Sequence, residues 1–485
     1  MIRHPALAAF GIGLLSAAAL PPVHAILVLA LCYPLLLRLI SGRAGWRGAA
    51  LMGFWFGTGH HIAGLYWITE AILIEAGRFW WLVPIGVPML AAVLALFIVL
   101  PCALTRLAPA PARPFVLAGG WVLADMARQF VLSGFPWNPP GSVWTIPGVA
   151  GDVMIQPAAW ISVHGLTLLT LLVFLLPPRR GVVLLAAWVG FGLLRLEPNP
   201  APANPVTIAL IQGNIAQDGK WERAKAFRHF EQYLALTRTA RMQTPEGVLV
   251  PVWPETASPF LVDTDPDARK AIAEASGGPI LVGALRIDAA RRPYNSLMAL
   301  DGSGPVTASY DKWHLVPFGE YQPGWFPLPI AFVSGEGFGR GQGPQTWHLA
   351  GVPPVGPLIC YEAIFPGQIV AADRPDWLVT VTNDAWFGDS AGPRQHLAAA
   401  RLRAVEEGLP LMRAANTGIS AGFDGYGREL GRLGMNQTGI LALALPGKLP
   451  PTAFSRLGLA IPLLLALASA GIGLWIARRH RLIHT

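Results

Sequence analysis

Leu358-Ile359-Cys360-Tyr361-Glu362 sets a cysteine at the end of a short apolar run and follows it with an aromatic residue and an acid. A strand ending in a thiol fixes the backbone of a nucleophile, and the turn after it exposes the sulfur. A thiol attacks an acyl carbon as the thiolate, and a free cysteine has a pKa of about 8.5, so a base must stand nearby. Glu255, which closes Val252-Trp253-Pro254-Glu255, supplies one if burial raises its pKa toward neutrality. Lys312, in the run Asp311-Lys312-Trp313-His314-Leu315-Val316-Pro317-Phe318-Gly319-Glu320-Tyr321, and the backbone N–H of Tyr361 can meet the oxyanion formed by attack. Losing one such donor commonly costs about 3–4 kcal/mol. Glutamate, lysine and cysteine thus make a complete set for acyl transfer. A surface acid, a surface lysine and a core thiol are the bland alternatives, but all three residues end apolar strands, where α/β folds place their sites.

The elements that must position these residues fall into two kinds. Of 485 residues, 53% are hydrophobic and 13% charged, with a mean hydropathy of +0.46. Ordinary soluble domains carry about 25% charged residues, so much of this chain belongs in lipid. Eight apolar stretches approach the ~20 residues that cross a bilayer as a helix: Ala6–Leu20, Val23–Ile40, Ala49–Thr69, Phe79–Leu104, Phe115–Leu132, Ala158–Leu176, Val182–Leu194 and Leu457–Ala477. Arg3, the Arg38/Arg43/Arg47 group, Arg106 with Arg113, Arg179-Arg180 and Arg478/Arg479/Arg481 fall on alternate connections, whereas Glu70, Glu75 and Asp152 occupy the others. That alternation predicts both termini in the cytoplasm and seven crossings before an outward-facing polar segment. The net charge of +8 is spread between apolar runs, which orients a membrane protein and argues against a nucleic-acid partner. The first stretch, ending Pro21-Pro22-Val23-His24-Ala25, also resembles a cleavable signal; an uncleaved helix is favoured because another apolar run follows at once.

A proline-rich linker at Pro198-Asn199-Pro200-Ala201-Pro202 opens the polar segment. Short apolar runs at Val206–Gln212, Gly247–Val252, Pro279–Ile287, Ser296–Leu300, Gly356–Cys360 and Trp377–Thr382 predict strands, and Glu222–Thr239 and Arg394–Glu407 predict helices. The expected organisation is a transmembrane bundle of about seven helices over 1–197, an α/β catalytic domain over 205–447, a last transmembrane helix over 456–477 and a cytoplasmic tail over 478–485. Three cysteines, with Cys32 and Cys102 inside apolar stretches, form neither a disulfide framework nor a metal cluster. His60-His61 lack further ligands at metal spacing, and hydrogen bonding explains them better. No cofactor is called for. Asp125 and Arg128 in the fifth stretch are expensive in lipid and are functional candidates on that ground. Trp325–Phe332 and the glycines after it read either as an apolar lid or as a packed loop. His314 and Asp311 read as residues that orient the lysine loop.

Trp253-Pro254-Glu255, the lysine run 311–321, Ile359-Cys360-Tyr361-Glu362 and Thr382-Asn383-Asp384-Ala385-Trp386-Phe387-Gly388 resemble the nitrilase superfamily with its Glu-Lys-Cys triad. The long lysine motif, Gly134-Phe135-Pro136-Trp137 and the flanking apolar helices are similar to its membrane branch, the apolipoprotein N-acyltransferases. The resemblance implies an α-β-β-α sandwich with an eight-helix membrane bundle, in a bacterial inner membrane with the catalytic domain in the periplasm. It implies that Cys360 takes an acyl chain from a phospholipid as a thioester and passes it to the α-amine of a diacylglyceryl-cysteine at an apolipoprotein N-terminus. Glu255 is then the base, Lys312 the oxyanion partner and Cys360 the nucleophile. Glu320, Tyr361 and Glu362 match supporting positions, Trp221 matches a substrate-contacting tryptophan, and Arg128 matches a headgroup contact, with a plain Asp–Arg pair as the alternative. The physical chemistry agrees: an α-amine with a pKa of about 7.7–8.0 has a usable neutral fraction, and two lipid substrates explain a tethered site. The rivals are a membrane-tethered amidase or nitrilase hydrolase, which delivers the acyl group to water, and a transporter or receptor whose nitrilase-like domain only binds ligand.

Overall fold

A computed structural model of the chain describes residues 3–196, 203–217, 222–327 and 337–484. The chain divides into two compact units, one of Met1–Glu197, Ser390–Ala398 and Thr452–Thr485, the other of Pro198–Asp389 and Ala399–Pro451.

The first unit is helical. Each of the eight apolar stretches overlaps a helix: Pro5–Ser16, Leu29–Ser41, Trp46–Leu65, Val83–Leu107, Arg113–Arg128, Ala158–Leu175, Pro178–Arg195 and Ala460–His484. Among the described residues two helical pieces, Ala76–Leu107 and Ala158–Leu175, are long and apolar enough to cross a membrane. Large apolar side chains such as Leu27, Val183 and Leu194 stand exposed on the outside of this unit, a surface that water disfavours and hydrocarbon accepts. Helices Pro5–Ser16 and Trp46–Leu65 run side by side in the same direction. Phe10 meets Trp55 with ring centroids 6.2 Å apart, and one turn and a half further on Ser16 Oγ lies 2.8 Å from His60 Nδ1. Gly13 and Gly59 permit this approach, since a Cβ on either would sit 2.1 Å from Phe56 O or 2.2 Å from Phe10 O. Small residues at such crossings let apolar helices pack backbone to backbone.

The second unit holds two sheets. Strands β1 (Ala203–Gln212), β2 (Val248–Val252), β3 (Ile280–Ile287), β4 (Pro293–Leu300), β5 (Val306–Asp311) and β11 (Gly439–Pro446) form one in the order β11-β1-β2-β3-β4-β5. The other, with β6 (Val355–Ile359), β7 (Trp377–Thr382), β8 (Leu411–Ala415), β9 (Ser420–Phe423) and β10 (Glu429–Leu433), runs β10-β9-β8-β7-β6. Strand periodicity assigns the layers: Val206, Ile208 and Leu210 of β1 pack in one core with Val355, Ile359, Val379 and Val381 of the other sheet. The alternate residues Ala209 and Ile211 pack in a second core with Phe230, Tyr233 and Leu234 of helix Arg223–Gln243 and Ile272 of helix Pro266–Ser276. A strand buried on both faces reads as an unbroken apolar run, which is why β1, β2 and β7 stand out in the sequence.

Strands β3, β4 and β6 also coincide with predicted runs, whereas β5 and β8 to β11 do not. In β8 the run Leu411-Met412-Arg413-Ala414-Ala415 carries an arginine at its centre, buried against Asp384 at 2.6 Å. β5, β10 and β11 are half exposed and mix polar or small residues among the apolar ones. Helix Pro266–Ser276 was not expected, although Asp265 as N-cap accepting from the Ala268 N–H, Pro266 at the first position and left-handed Gly277 at the end are its written signals.

Gly59→Val is expected to force the two helices apart and to lower stability by about 1–3 kcal/mol, the range for overpacking. Gly11→Ala, inside the same helix and with no atom within 4 Å, should leave thermal unfolding of the detergent-solubilised protein unchanged or slightly raised, because alanine favours the helix.

Candidate active site

Glu255, Lys312, Cys360, Glu320, Tyr361 and Glu362 all lie in the second unit, Glu320 in the loop that follows β5 and the others just beyond strand ends. Lys312 follows β5 and is 1% exposed. The antiparallel β4–β5 register pairs Ser296 with Asp311, and the Lys312 N–H donates to Asn295 O at 2.9 Å, so lysine and asparagine face each other across the sheet end. Lys312 Nζ donates to Glu255 Oε1 at 3.2 Å and to Glu320 Oε1 at 3.0 Å. The Asn295 amide bridges the same two carboxyls, donating at 2.7 Å and 2.9 Å. The Asn383 N–H holds Glu255 Oε2 at 2.7 Å, and the Val316 N–H holds Glu320 Oε2 at 2.8 Å. Glu255 is brought into place by a close strand crossing: a Cβ on Gly283 of β3 would lie 2.0 Å from Pro254 O.

Glu362 has a different task. Its Oε1 accepts from the Tyr310 hydroxyl and the Trp313 N–H, each at 2.8 Å, and its Oε2 accepts from the Ile359 N–H at 2.6 Å. One carboxyl thereby ties the lysine loop to the turn that carries the cysteine.

Cys360 opens that turn with φ +51°, in the left-handed region that non-glycine residues avoid. Thr256, next to Glu255, and Phe318, in the loop before Glu320, have φ +49° and +65°. A strained nucleophile, with strained residues one and two positions from the carboxylates Glu255 and Glu320, fits a site held by its surroundings. The strand ends at Ile359, one residue before the end expected from the run Gly356–Cys360, and the sulfur is not exposed: Cys360 is 6% accessible. Its thiol hydrogen-bonds Thr382 and feels the charges of Glu255, Lys312 and Asp384.

Burial and the neighbouring Glu255 carboxylate push the Cys360 thiol well above its usual range, with Lys312 opposing. For Glu255 burial acts upward, yet Lys312, Asn295 and the Asn383 N–H together hold its carboxyl below the ordinary carboxylate range. The expectation that burial raises Glu255 toward neutrality is therefore reversed: burial is the largest single influence, but the Lys312 charge and the hydrogen bonds from Lys312, Asn295 and Asn383 together outweigh it. Lys312 is driven upward by Glu255, Glu320 and Cys360 against its own burial. Burial pushes Glu362 up to about 7 despite its donors.

Asp311 is occupied by Arg286, at 3.1 Å and 2.6 Å, and by Ser296. His314 bonds Gln368 at 2.9 Å and stacks on Phe365. Both side chains are thus engaged by neighbouring protein groups. Asn295, Thr382 and the Asn383 amide were missed by sequence reasoning. Thr382 and Asn383 lie inside the quoted 382–388 motif, whereas Asn295, in the polar pair Asn295-Ser296 ahead of an apolar run, carries no distinguishing pattern.

Trp221 lies outside the described residues, as do 328–336 of the apolar run after Trp325; Phe318, Trp325 and Phe326 form an edge-on aromatic group at its start. Arg128 belongs to the helical unit, where its Nη2 lies 3.2 Å from Asp125 Oδ1 and both residues are buried. Among the described residues no group of three or more His, Cys, Asp or Glu side chains could hold a metal ion.

Residues 207–448 match the carbon-nitrogen hydrolase family, and residues 12–176 match the apolipoprotein N-acyltransferase N-terminal domain. The apolipoprotein N-acyltransferase of Rhodopseudomonas palustris is 39% identical over 487 residues, covering 92% of this chain and 90% of its own. That of Bradyrhizobium diazoefficiens is 39% identical over 495 residues, covering 93% and 91%. A carbon-nitrogen hydrolase structure from Helicobacter pylori G27 aligns with 49% of this chain and 88% of its own, at 16% identity and a TM-score of 0.39. Two relatives of this identity, matched along nearly their whole length, place the chain: it belongs to the apolipoprotein N-acyltransferases, a membrane-bound family with a nitrilase-like α/β domain.

Proposed function

We propose that the chain N-acylates apolipoproteins by a two-step transfer through Cys360. The observation that carries this reading is the buried ion pair of Glu255 and Lys312 acting on the thiol of Cys360, in a chain of this family. In the first step the Cys360 sulfur attacks the ester carbonyl carbon of a phospholipid while Glu255 takes the thiol proton. The new oxyanion is met by the Lys312 ammonium and the Tyr361 N–H. Collapse breaks the ester C–O bond, Glu255 returns the proton to the leaving glycerol oxygen, and a lysophospholipid departs. In the second step the α-amine of a diacylglyceryl-cysteine attacks the thioester, Glu255 takes one of its protons, and the Cys360 thiolate leaves and is reprotonated.

The resting charges favour this order. A thiol held neutral by burial does not waste itself on other electrophiles, and a Glu255 that is already ionised is ready to accept the proton as the carbon–sulfur bond forms. Lys312 stays cationic throughout and shifts its attraction from Glu255 to the oxyanion. Glu320 and Glu362 act through others, one by holding Lys312 and Asn295, the other by fixing the Cys360 turn. In this reading the eight apolar stretches all span the membrane, both termini are cytoplasmic and the site faces the periplasm. Arg128 serves the phospholipid headgroup and Trp221 the acceptor.

Labelled phospholipid supplied with a diacylated lipopeptide should yield N-acylated lipopeptide and lysophospholipid. Cys360→Ala should abolish both products, whereas release of free fatty acid at the same rate with or without lipopeptide would assign the site to a hydrolase. Glu255→Gln is expected to slow adduct formation by about 10²–10⁴-fold. Because Glu255 is held low, single-turnover adduct formation should stay level as pH falls from neutrality and drop only below the ordinary carboxylate range. A decline centred near neutral pH that persists in Glu362→Gln, which removes the one carboxyl of the site raised to about 7, would contradict an ionised resting base. A cysteine at the exposed Asp267 should react with an impermeant reagent from the periplasmic side; the three native cysteines are buried, and labelling only after cytoplasmic access would reverse the orientation.

A further inference from the structure

The helical unit carries an open pocket of about 420 Å³, with exposed Arg3, His4 and Leu7 on its rim, in which no catalytic residue takes part. It lies at the starts of Pro5–Ser16 and Trp46–Leu65, the two parallel helices joined through Gly13 and Gly59. Both helices begin without a side-chain cap and without an acid in the first turn. The first-turn N–H groups, among them those of Ala6, Leu7 and Gly48 on the cavity wall, have no intrahelical acceptor, and two positive dipole ends stand side by side. Arg3 and Arg43 join them in the lining. Arg43 is half-buried and its Nε makes no hydrogen bond within the protein, and Arg106 adds a further cation by donating to Arg43 O at 2.6 Å.

Nothing nearby in sequence balances this charge, since the first carboxylate in the chain is Glu70. Guanidinium groups and free helix N-termini together match the geometry of a phosphate. The other wall is apolar: Leu7 and Leu51 are 68% and 48% exposed, and Met52 is buried beneath them. Such a cavity is large enough for a phosphate-bearing headgroup and opens onto apolar surface, and basic pockets between membrane helices are known to take such headgroups.

We propose that this cavity binds the phosphate of an anionic membrane phospholipid, whose acyl chains run out over Leu7 and Leu51. The inference rests on the membrane-bound reading of the family and not on the acyl-transfer chemistry. The lining holds no thiol, hydroxyl or carboxylate, so the lipid is held there and not consumed. The bound anion neutralises the cations and caps both helices, which a zwitterionic headgroup does less well.

The test is native mass spectrometry of the full-length protein, carrying Cys360→Ala so that no lipid is consumed, after exchange into micelles holding equal phosphatidylglycerol and phosphatidylcholine of the same chains. One phosphatidylglycerol should be retained in preference, and the preference should disappear in the Arg3→Gln/Arg43→Gln double variant. Gly48→Asp gives an independent arm: an acid at the third helical position stabilises the helix start, and its side chain meets only the movable Arg43 side chain. It should fold and release the lipid. Equal retention of both lipids by the parent protein, or undiminished preference in Gly48→Asp, would overturn the proposal. Displacement of the lipid by excess inorganic phosphate would reassign the site to a soluble anion.

Discussion

A lysine that is 1% exposed cannot remain charged alone, and the catalytic unit is arranged around satisfying it. Removing an ion from water costs several kcal/mol even after relaxation, and breaking a buried pair costs about 3–5 kcal/mol. Lys312 therefore requires both Glu255 and Glu320, and these in turn require Asn295 and the backbone donors of Val316 and Asn383. Those groups come from the ends of β2, β4, β5 and β7. A slip of any of these strands by one residue would turn its partner to the opposite face. The same demand that keeps the lysine ionised thus fixes the geometry in which a thiol, a base and a cation meet.

The two sheets supply the rigidity for this arrangement, and further buried pairs reinforce it. Asp384 and Arg413, both 0% exposed, clamp the segment after β7 whose Asn383 amide holds the base. Asn416 extends the support by bonding Ile215 on one side and Asn383 on the other. The lipophilic surface of the helical unit follows a different logic, in which glycine contacts replace hydrophobic collapse and uncapped helix ends gather arginine. Side chains pair with each other in both units, as Asp125 and Arg128 do in the helical one, but Arg3 and Arg43 there have no carboxylate near them in sequence.

Much of the site was legible because chemistry and strand endings coincide in the sequence. Glu255 and Cys360 each terminate a run that is apolar on every residue, so the strand and the exceptional residue announce each other. Asn295 was hidden because a single amide before an apolar strand has no distinguishing pattern, and its value arises only when β4 pairs with β5. Strand β8 was hidden because Arg413 breaks its apolar run, and the carboxylate that makes it tolerable lies 29 positions earlier. The protonation state of Glu255 was misjudged for a related reason: burial can be read from an apolar context, but a counter-ion at 3.2 Å belongs to the folded chain alone.

The central claim is that Cys360 carries the acyl group between two lipid substrates. Intact-mass spectrometry of the purified protein after incubation with phospholipid alone, followed by peptide mapping, tests it most directly. A mass increase of one acyl chain, located on the peptide containing Cys360, removed by hydroxylamine and discharged on addition of diacylated lipopeptide, is the predicted result. No adduct on that peptide with any phospholipid donor, while N-acylated lipopeptide still accumulates, would contradict it.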